Sequence, residues 1–208
     1  MRTIAVANPK GGVGKTLCAI LANEYFFHQG VPVLTMDADS NGNFRFYLDR
    51  CTSEGRLEHA SEPRYRIVDT AGLSAASVAF LREADIILVP TRLATPDLTR
   101  LIRFLRDELD PELLPKVAFV PNAVPAIGLT KEMSLGFDQL REIAEAFGLG
   151  RDRVLPGLCL RPAVYGLLYN GSSETLFDED ARGSQSLAHA RRESAALMVA
   201  LTTLLEAA

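Results

Sequence analysis

A glycine-rich segment near the start of the chain has the residue types of a phosphate-binding loop. Residues 8–16 read NPKGGVGKT. Gly11, Gly12 and Gly14 allow the backbone to turn tightly and to point its N–H groups at phosphate oxygens. Lys15 is expected to reach the β- and γ-phosphates of a nucleotide, and the Thr16 hydroxyl is expected to bind Mg²⁺. The segment therefore predicts a site for a nucleoside triphosphate with Mg²⁺.

The elements around this loop alternate between strands and helices. Apolar runs predict strands at residues 3–7, 31–36, 67–68, 86–89, 117–120 and 154–155. Helical patterns lie at residues 16–28, 74–83, 97–109 and 137–147 and from about 184 to the end, while residues 41–63 predict no regular element. This order predicts a single α/β domain over residues 1–208, of the three-layer P-loop NTPase type. It would have a mostly parallel twisted sheet with helices on both faces.

Acidic residues follow two of the predicted strands. Asp37 and Asp39 follow the second strand, on the same side of the chain, and Asp69 follows the third. In a parallel sheet these strand ends lie at the edge where ligands bind, so all three carboxylates are expected near the phosphate loop. For Asp37 and Asp39, two acids that only cap a loop are the alternative.

The loop departs from the ordinary Walker pattern in a way that suggests a family. Pro9 replaces the first glycine, and an additional lysine, Lys10, precedes the glycines. KGGVGKT resembles the deviant Walker A box of the ParA/MinD family, and this implies that Lys10 crosses a dimer interface to the partner's ATP, like an arginine finger. A solvated loop lysine is the alternative. Lysine is scarce in this chain, with four among 22 basic residues, which favours a dedicated role for Lys10.

Two later segments resemble further boxes of the same family. Residues 37–43, DADSNGN, are similar to its second box, although Ser40 and Asn41 replace the usual proline and glutamine. By this resemblance, Asp39 positions the attacking water and Asp37 supports Mg²⁺ through water. Residues 65–72, YRIVDTAG, resemble a Walker B segment, which implies that Asp69 also holds Mg²⁺ through water.

The implied site combines these residues. The catalytic residues would be Lys10, Lys15 and Asp39, the metal would be held by Thr16, Asp37 and Asp69, and the nucleotide would be bound by residues 10–16, including Val13, together with Asn122. Asn122 follows a predicted strand at a place where relatives read the adenine edge with an asparagine. A simple turn asparagine is the alternative there.

Composition limits the classes of protein that fit. The net charge of −4 excludes a strongly basic nucleic-acid binder as a description of the whole chain, although a local basic patch stays possible. Four arginines toward the C-terminus are candidates for DNA backbone contacts: Arg161, Arg182, Arg191 and Arg192. Three widely spaced cysteines form neither a disulfide framework nor a metal-binding pattern. A signal peptide and a membrane span are not indicated, and these features favour the cytoplasm.

The resemblance is strongest to small plasmid-type ParA proteins, the ParF group, which lack an N-terminal DNA-reading domain. It implies a slow ATPase that forms an ATP-dependent homodimer on nonspecific DNA, at the nucleoid. A ParB-like or centromere-binding adaptor would stimulate hydrolysis and so release the dimer from DNA. Two alternatives are a MinD-like positioning ATPase, for another cargo or the membrane, and a metabolic enzyme of the dethiobiotin synthetase type. Residues 195–208 carry no lysine or arginine, which disfavours membrane binding.

Overall fold

A five-stranded parallel sheet forms the centre of the computed structural model, which describes residues 1–53, 62–72, 74–125, 131–170, 176–177 and 185–207. The strands are β1 (Arg2–Val6), β2 (Val33–Ala38), β3 (Tyr65–Thr70), β4 (Ile86–Thr91) and β5 (Val117–Pro121), in the order β2-β3-β1-β4-β5. Each described neighbouring pair is parallel. The predicted fold class is confirmed.

Helices cover both faces of this sheet. They are α1 (Lys15–His28), α2 (Asn43–Ser53), α3 (Ala75–Glu83), α4 (Thr95–Arg103), α5 (Lys131–Ala146), α6 (Pro162–Asn170) and α7 (Gln185–Ala207). Buried residues of α1, α2, α6 and α7 form one apolar cluster against the sheet, and those of α3, α4 and α5 form a second on the opposite face. Three layers therefore enclose two cores.

The central strand, β1, shows why a strand in the middle of this sheet is apolar. In β1, Ile4 and Val6 belong to the core under α1, whereas Ala5 belongs to the core under α4 and α5. Successive side chains of a strand point to opposite faces, so a strand covered on both sides needs a continuous apolar run. This is the pattern that the sequence showed.

Three elements differ from what the sequence predicted. Residues 43–53 form helix α2, which buries Phe44, Tyr47 and Cys51 at helical spacing although most of its other residues are polar. Helix α6 was not predicted. The expected strand at residues 154–155 is only a single bridge between Val154 and Phe119.

Helix boundaries also differ from the prediction between β4 and β5. Helix α4 begins two residues earlier than expected, and its continuation, Phe104–Glu108, is a π-helical turn. A 3₁₀ segment, Pro111–Lys116, then leads into β5. The π-helical turn occupies the last part of the helix that was predicted over residues 97–109.

Strand register places the acidic residues at one edge of the sheet. Asp69 of β3 is aligned with Val6 of β1 on one side and with Asp37 of β2 on the other. The chain leaves β1 directly into the glycine-rich loop at the same edge. The fold thus brings the loop, Asp69 and Asp37 together, as the alternation of strands and helices predicted.

Candidate nucleotide-binding site

The base of the glycine-rich loop is fixed by neighbouring strands. The buried Asn8 side chain donates a hydrogen bond from Nδ2 to the Pro90 carbonyl at 2.9 Å, and its Oδ1 accepts one from the Lys10 amide at 2.8 Å. A Cβ atom on Gly72 would lie 3.3 Å from Cα of Pro9, so the segment after β3 also packs closely on the loop. The loop is therefore held between β4 and the turn after β3.

The top of the loop depends on glycine at two positions. Gly12 and Gly14 have φ values of +70° and +102°, in the left-handed region that L side chains rarely adopt. A Cβ atom on Gly14 would lie 2.1 Å from Nδ2 of Asn122. Gly14 precedes the first residue of α1, so the loop amides and the positive end of that helix meet at one place.

Asn122 holds the loop in this conformation. Its side-chain Nδ2 donates to the Val13 carbonyl at 2.7 Å, and its backbone amide donates to the Thr91 carbonyl at 2.7 Å. The next residue, Ala123, has a φ of +57°, which is uncommon for a residue with a side chain. The structure thus gives Asn122 a positioning contact that the sequence did not predict, and its reading of an adenine edge stays a prediction.

The two lysines of the loop point to different places. Nζ of Lys15 lies 3.4 Å from the Lys10 carbonyl, folded over the loop that it was predicted to serve. Nζ of Lys10 instead contacts Oδ1 of Asp97 at 2.5 Å, in the first turn of α4. The Asp97 side chain is 8% exposed and that of Lys10 is 38% exposed. The sequence indicated Asp97 only as part of a helix start, so this ion pair was not predicted.

Asp69 is the most unusual acid of the site. It is fully buried, its Oδ2 accepts a hydrogen bond from the Thr16 hydroxyl at 2.7 Å, and within the described residues its Oδ1 has no hydrogen-bond partner. Burial raises the pKa of Asp69 to about 7; the Thr16 hydrogen bond and the Lys15 charge oppose this rise, and the charges of Asp37 and Asp39 add to it. A buried carboxylate oxygen without a partner indicates a missing cationic or hydrogen-bonding ligand.

Asp37 and Asp39 have local structural contacts. Asp37 accepts hydrogen bonds from the Asp39 amide at 2.9 Å and from the Arg45 amide, in the first turn of α2, at 2.7 Å. Asp39 accepts one from the Asn41 amide at 3.0 Å. The loop-capping alternative for this pair is therefore present in the structure. A carboxylate has about four acceptor sites, so these bonds leave room for the roles that the resemblance implies.

The residues at this edge fit a magnesium ion that is bound mainly through phosphate and water. The Thr16 hydroxyl and the unpartnered Oδ1 of Asp69 are hard oxygen donors of the kind that Mg²⁺ prefers. No cluster of three or more metal-binding side chains occurs in the described part of the chain. Such a cluster is not needed, because Mg²⁺ commonly keeps several waters and uses substrate phosphates as ligands.

One residue of the site was missed at the sequence level. Arg92, the first residue after β4, donates a hydrogen bond from Nη2 to the Gly12 carbonyl at 2.7 Å. The contact joins residues 80 positions apart. A single arginine after a predicted strand gives no sequence signal of such a contact, because the pairing of β4 with β1 creates it.

The late arginines have different environments. Arg161 is 8% exposed and forms an ion pair with Glu193, with Nη2 at 2.6 Å from Oε1. Arg191 is partly buried and donates from Nε to the Leu176 carbonyl at 2.8 Å, while Arg192 is exposed. Arg182 lies outside the described residues. The Arg161 guanidinium joins the start of α6 to α7, and a DNA contact by this arginine stays a prediction.

Sequence comparisons support the resemblance drawn from the motifs. A family model described as an AAA domain matches residues 1–62, which include the glycine-rich loop and the second box. Protein ParA of Rhizobium radiobacter is 28% identical over 116 residues, covering 48% of this chain and 52% of the relative. The alignment therefore spans about half of the length of that curated relative.

Solved structures extend the similarity over the whole fold. An ATP complex of a Cyanothece McdA variant matches with a TM-score of 0.71 at 18% identity, covering 97% of this chain and 96% of the other. The pNOB8 ParA bound to nonspecific DNA matches with a TM-score of 0.62 at 15% identity, covering 99% and 98%. These comparisons confirm the ParA/MinD-type resemblance and the P-loop NTPase fold.

Proposed function

We propose that this chain, which has the loop sequence and the fold of ParA/MinD-type P-loop ATPases, is a switch that dimerises around ATP and separates after hydrolysis. The observation that carries the proposal is that the side chains of two lysines in one loop, Lys10 and Lys15, point in different directions. Lys15 folds over its own phosphate cradle, whereas Lys10 points away to α4. We therefore assign Lys15 to the chain's own nucleotide, and Lys10, whose partner in this structure is Asp97, to the nucleotide of a second subunit.

The geometry of the phosphate cradle, residues 8–16, supports the proposal of nucleotide binding. The loop amides and the N-terminus of α1 would bind the phosphates, with Lys15 neutralising their charge. Mg²⁺, when bound, would neutralise further phosphate charge and would be held by the Thr16 hydroxyl and, through water, by Asp69 and Asp37. The buried Oδ1 of Asp69 would then gain the partner that it lacks among the described residues.

Hydrolysis would convert ATP and water to ADP and phosphate. We assign Asp39 to positioning the attacking water, because it follows β2 at the edge where Asp69 and the loop lie. Its carboxylate has one described hydrogen bond, to the Asn41 amide, and keeps acceptor capacity for a water molecule. A slow basal rate that an adaptor protein stimulates is part of this proposal.

Dimerisation would require Lys10 to leave Asp97. The lysine side of the pair is partly exposed but Asp97 is buried, so leaving Asp97 unpaired costs free energy that the contact with the partner's phosphate must offset. A triphosphate offers more negative charge than a diphosphate, and this difference would make the exchange depend on ATP. Lys10 would then stabilise the charge that develops on the partner's nucleotide during hydrolysis.

We further propose that the ATP-bound dimer binds nonspecific DNA. The similarity in fold to pNOB8 ParA, a protein whose structure was solved bound to nonspecific DNA, supports this proposal. Arg192 is the exposed member of the described late arginines, and two copies in a dimer would provide a two-sided contact. A ParB-like or centromere-binding adaptor would trigger release. Within the described residues, no helix is long and apolar enough to cross a membrane.

The test is the size of the protein with and without nucleotide, followed by DNA binding. Wild type, Lys10→Ala and the hydrolysis variant Asp39→Ala are compared by light scattering in apo form, with ADP and with ATP and Mg²⁺. We expect a dimer with ATP for wild type and Asp39→Ala but not for Lys10→Ala, and DNA binding in the dimeric samples alone. The proposal fails if wild type and Asp39→Ala both stay monomeric with ATP. Liposome binding, or turnover of a small acid, would support the alternatives instead.

A further inference from the structure

Arg92 occupies a position at the phosphate loop that the proposed mechanism does not use. It is exposed, it follows the last residue of β4, and its Nη2 contacts the carbonyl of Gly12 at the top of the loop. A Cβ atom on Gly12 would lie 3.8 Å from this nitrogen. The guanidinium therefore lies in contact with the part of the loop whose amides are expected to meet phosphate.

The charge of Arg92 is not neutralised by its described contacts. The Gly12 carbonyl accepts one of its five N–H donors, and no described carboxylate lies within ion-pair distance. Several other exposed arginines do have acidic partners, namely Arg82 with Asp110, Arg106 with Asp107, Arg141 with Asp138 and Arg151 with Glu145. An unpaired guanidinium beside an anion-binding loop is suited to binding phosphate oxygens, which it can bind with two parallel hydrogen bonds.

Strand order places Arg92 opposite the acids. β1 leads into the loop at the centre of the sheet, β3 and β2 bring Asp69 and Asp37 on one side, and β4 brings Arg92 on the other. A phosphate chain on the loop would thus have the magnesium-binding carboxylates on one flank and the guanidinium on the other. With Mg²⁺ bound on the carboxylate side, phosphate charge would be neutralised from both sides.

We propose that Arg92 binds the phosphate chain of a nucleoside di- or triphosphate bound to its own subunit. In the nucleotide complex, it exchanges the neutral Gly12 carbonyl for charged phosphate oxygens. The proposal rests on the nucleotide-binding function inferred above. It adds a cation that the loop motif does not contain and that only the tertiary structure places at the site.

Two substitutions at this position separate charge from structural support. Arg92→Gln keeps an N–H donor for the Gly12 carbonyl but removes the charge, and Arg92→Lys keeps the charge. Titration calorimetry with ADP and with a non-hydrolysable ATP analogue, both with Mg²⁺, measures the affinity. We expect Arg92→Gln to weaken binding about tenfold to a hundredfold, the usual range for a charge-assisted hydrogen bond, and Arg92→Lys to recover a substantial part of it.

Salt and thermal stability provide readouts that a purely structural role would not reproduce. The difference in affinity between wild type and Arg92→Gln should shrink in high salt because it arises from charge, and the apo melting temperatures should agree. Arg106→Gln, on the π-helical turn after α4, is the matched control and should bind like wild type.

Separate outcomes overturn the two proposals. If wild type binds nucleotide and Arg92→Gln binds equally well, or if Gln and Lys variants lose affinity to the same extent along with apo stability, the Arg92 assignment is wrong. If wild type itself binds neither ADP nor the ATP analogue, the proposed function fails first, and Lys15→Ala would then be indistinguishable from wild type.

Discussion

The phosphate cradle and the α6–α7 junction both contain charged residues that the sequence marked as binding candidates, but their charges are arranged differently. In the cradle, the buried Asp69 has an oxygen without a described partner. At the junction, Arg161 and Glu193 are paired with each other at 2.6 Å. Burial would raise the pKa of Glu193, but hydrogen bonds from Arg161 and from the thiol and amide of Cys159 hold that pKa below its usual value.

This difference separates binding sites from structural ion pairs. A buried carboxylate oxygen that lacks a partner is costly unless a ligand supplies one, which is the arrangement we expect of a binding site. The Arg161–Glu193 pair has no such unpartnered oxygen among its described contacts and contributes to the fold. Acidic and basic side chains therefore have different roles in two regions of one molecule, and variants in each region should have opposite effects on binding and stability.

The largest expected effect is a loss of ATP affinity in the phosphate cradle. Lys15→Ala removes a cation from the cradle, and we expect ATP affinity to fall by about a hundredfold or more, since hydrogen bonds to charged groups contribute ~1.5–3 kcal/mol and the phosphate charge adds to this. The free energy of unfolding of the apo protein should change by less than about 1 kcal/mol, because Lys15 has only a weak contact at 3.4 Å. Calorimetry and urea unfolding measure the two quantities. Unchanged affinity would contradict the assignment of the cradle.

Arg161→Ala should have the opposite effect, a loss of stability with unchanged ATP affinity. Removal of one partner leaves Glu193 without its ion pair, and we expect the free energy of unfolding to fall by about 3 kcal/mol. ATP affinity of the folded protein should stay the same. Replacement of both partners, Arg161→Leu with Glu193→Leu, is the control and should recover most of the stability. A loss of DNA binding by Arg161→Ala at full stability would show that this arginine is a contact residue after all.

A smaller effect concerns the pH dependence of the apo protein. The folded-state pKa of Asp69, about 7, lies above its ordinary value of 3.8, so the folded protein binds more protons between these values. Its contribution to stability is therefore complete at low pH and is lost as pH rises toward 7, with a slope of at most about 1.4 kcal/mol per pH unit. Asp69→Asn should remove this slope.

Urea midpoints of wild type and Asp69→Asn between pH 5.5 and 7.5 measure this contribution. Saturating ATP and Mg²⁺ should reverse its sign in wild type, because the bound cation favours the charged carboxylate. A constant difference between the two proteins at every pH would show that Asp69 titrates normally.

The smallest expected effect concerns DNA binding by the exposed Arg192. Arg192→Ala should weaken DNA binding of the ATP-bound dimer modestly and reduce the salt dependence of binding by about one unit of log–log slope for each lost phosphate contact. Arg191, which is bonded to the Leu176 carbonyl, is the neighbouring comparison. Fluorescence anisotropy with two unrelated DNA sequences, at several salt concentrations, measures both. Equal slopes for wild type and Arg192→Ala would remove Arg192 from the proposed surface.

The cradle could be predicted because its residues are consecutive. Residues 8–16 specify their own turn, and the apolar runs on either side specify a strand and a helix. Asp37 and Asp69, near the ends of β2 and β3, were placed correctly for a related reason, since parallel strands carry their carboxyl ends to one edge.

The contacts that were missed are long-range. Lys10 meets Asp97 over 87 positions, Asn122 meets Val13 over 109, and Arg92 meets Gly12 over 80. Helix α2 was missed because its three buried residues stand among polar ones. The ion pair of Arg161 with Glu193 could not be predicted for the same reason as the contact of Arg92 with Gly12, because only the fold determines which charged groups are neighbours. The single-domain organisation over residues 1–208 stays a prediction.

The central claim, that Lys10 serves the nucleotide of a neighbouring subunit, is tested most directly by mixing two inactive variants. Lys10→Ala lacks the lysine for its partner's site, and Asp39→Ala lacks the residue assigned to the attacking water. In a mixed dimer, the intact Lys10 of one subunit would complete the site of the other. We predict that ATPase activity returns to at most about half of the wild-type rate, because each mixed dimer has one complete site of two. If each variant is inactive alone and the mixture stays inactive although mixed dimers form, Lys10 acts on its own subunit and the account is wrong.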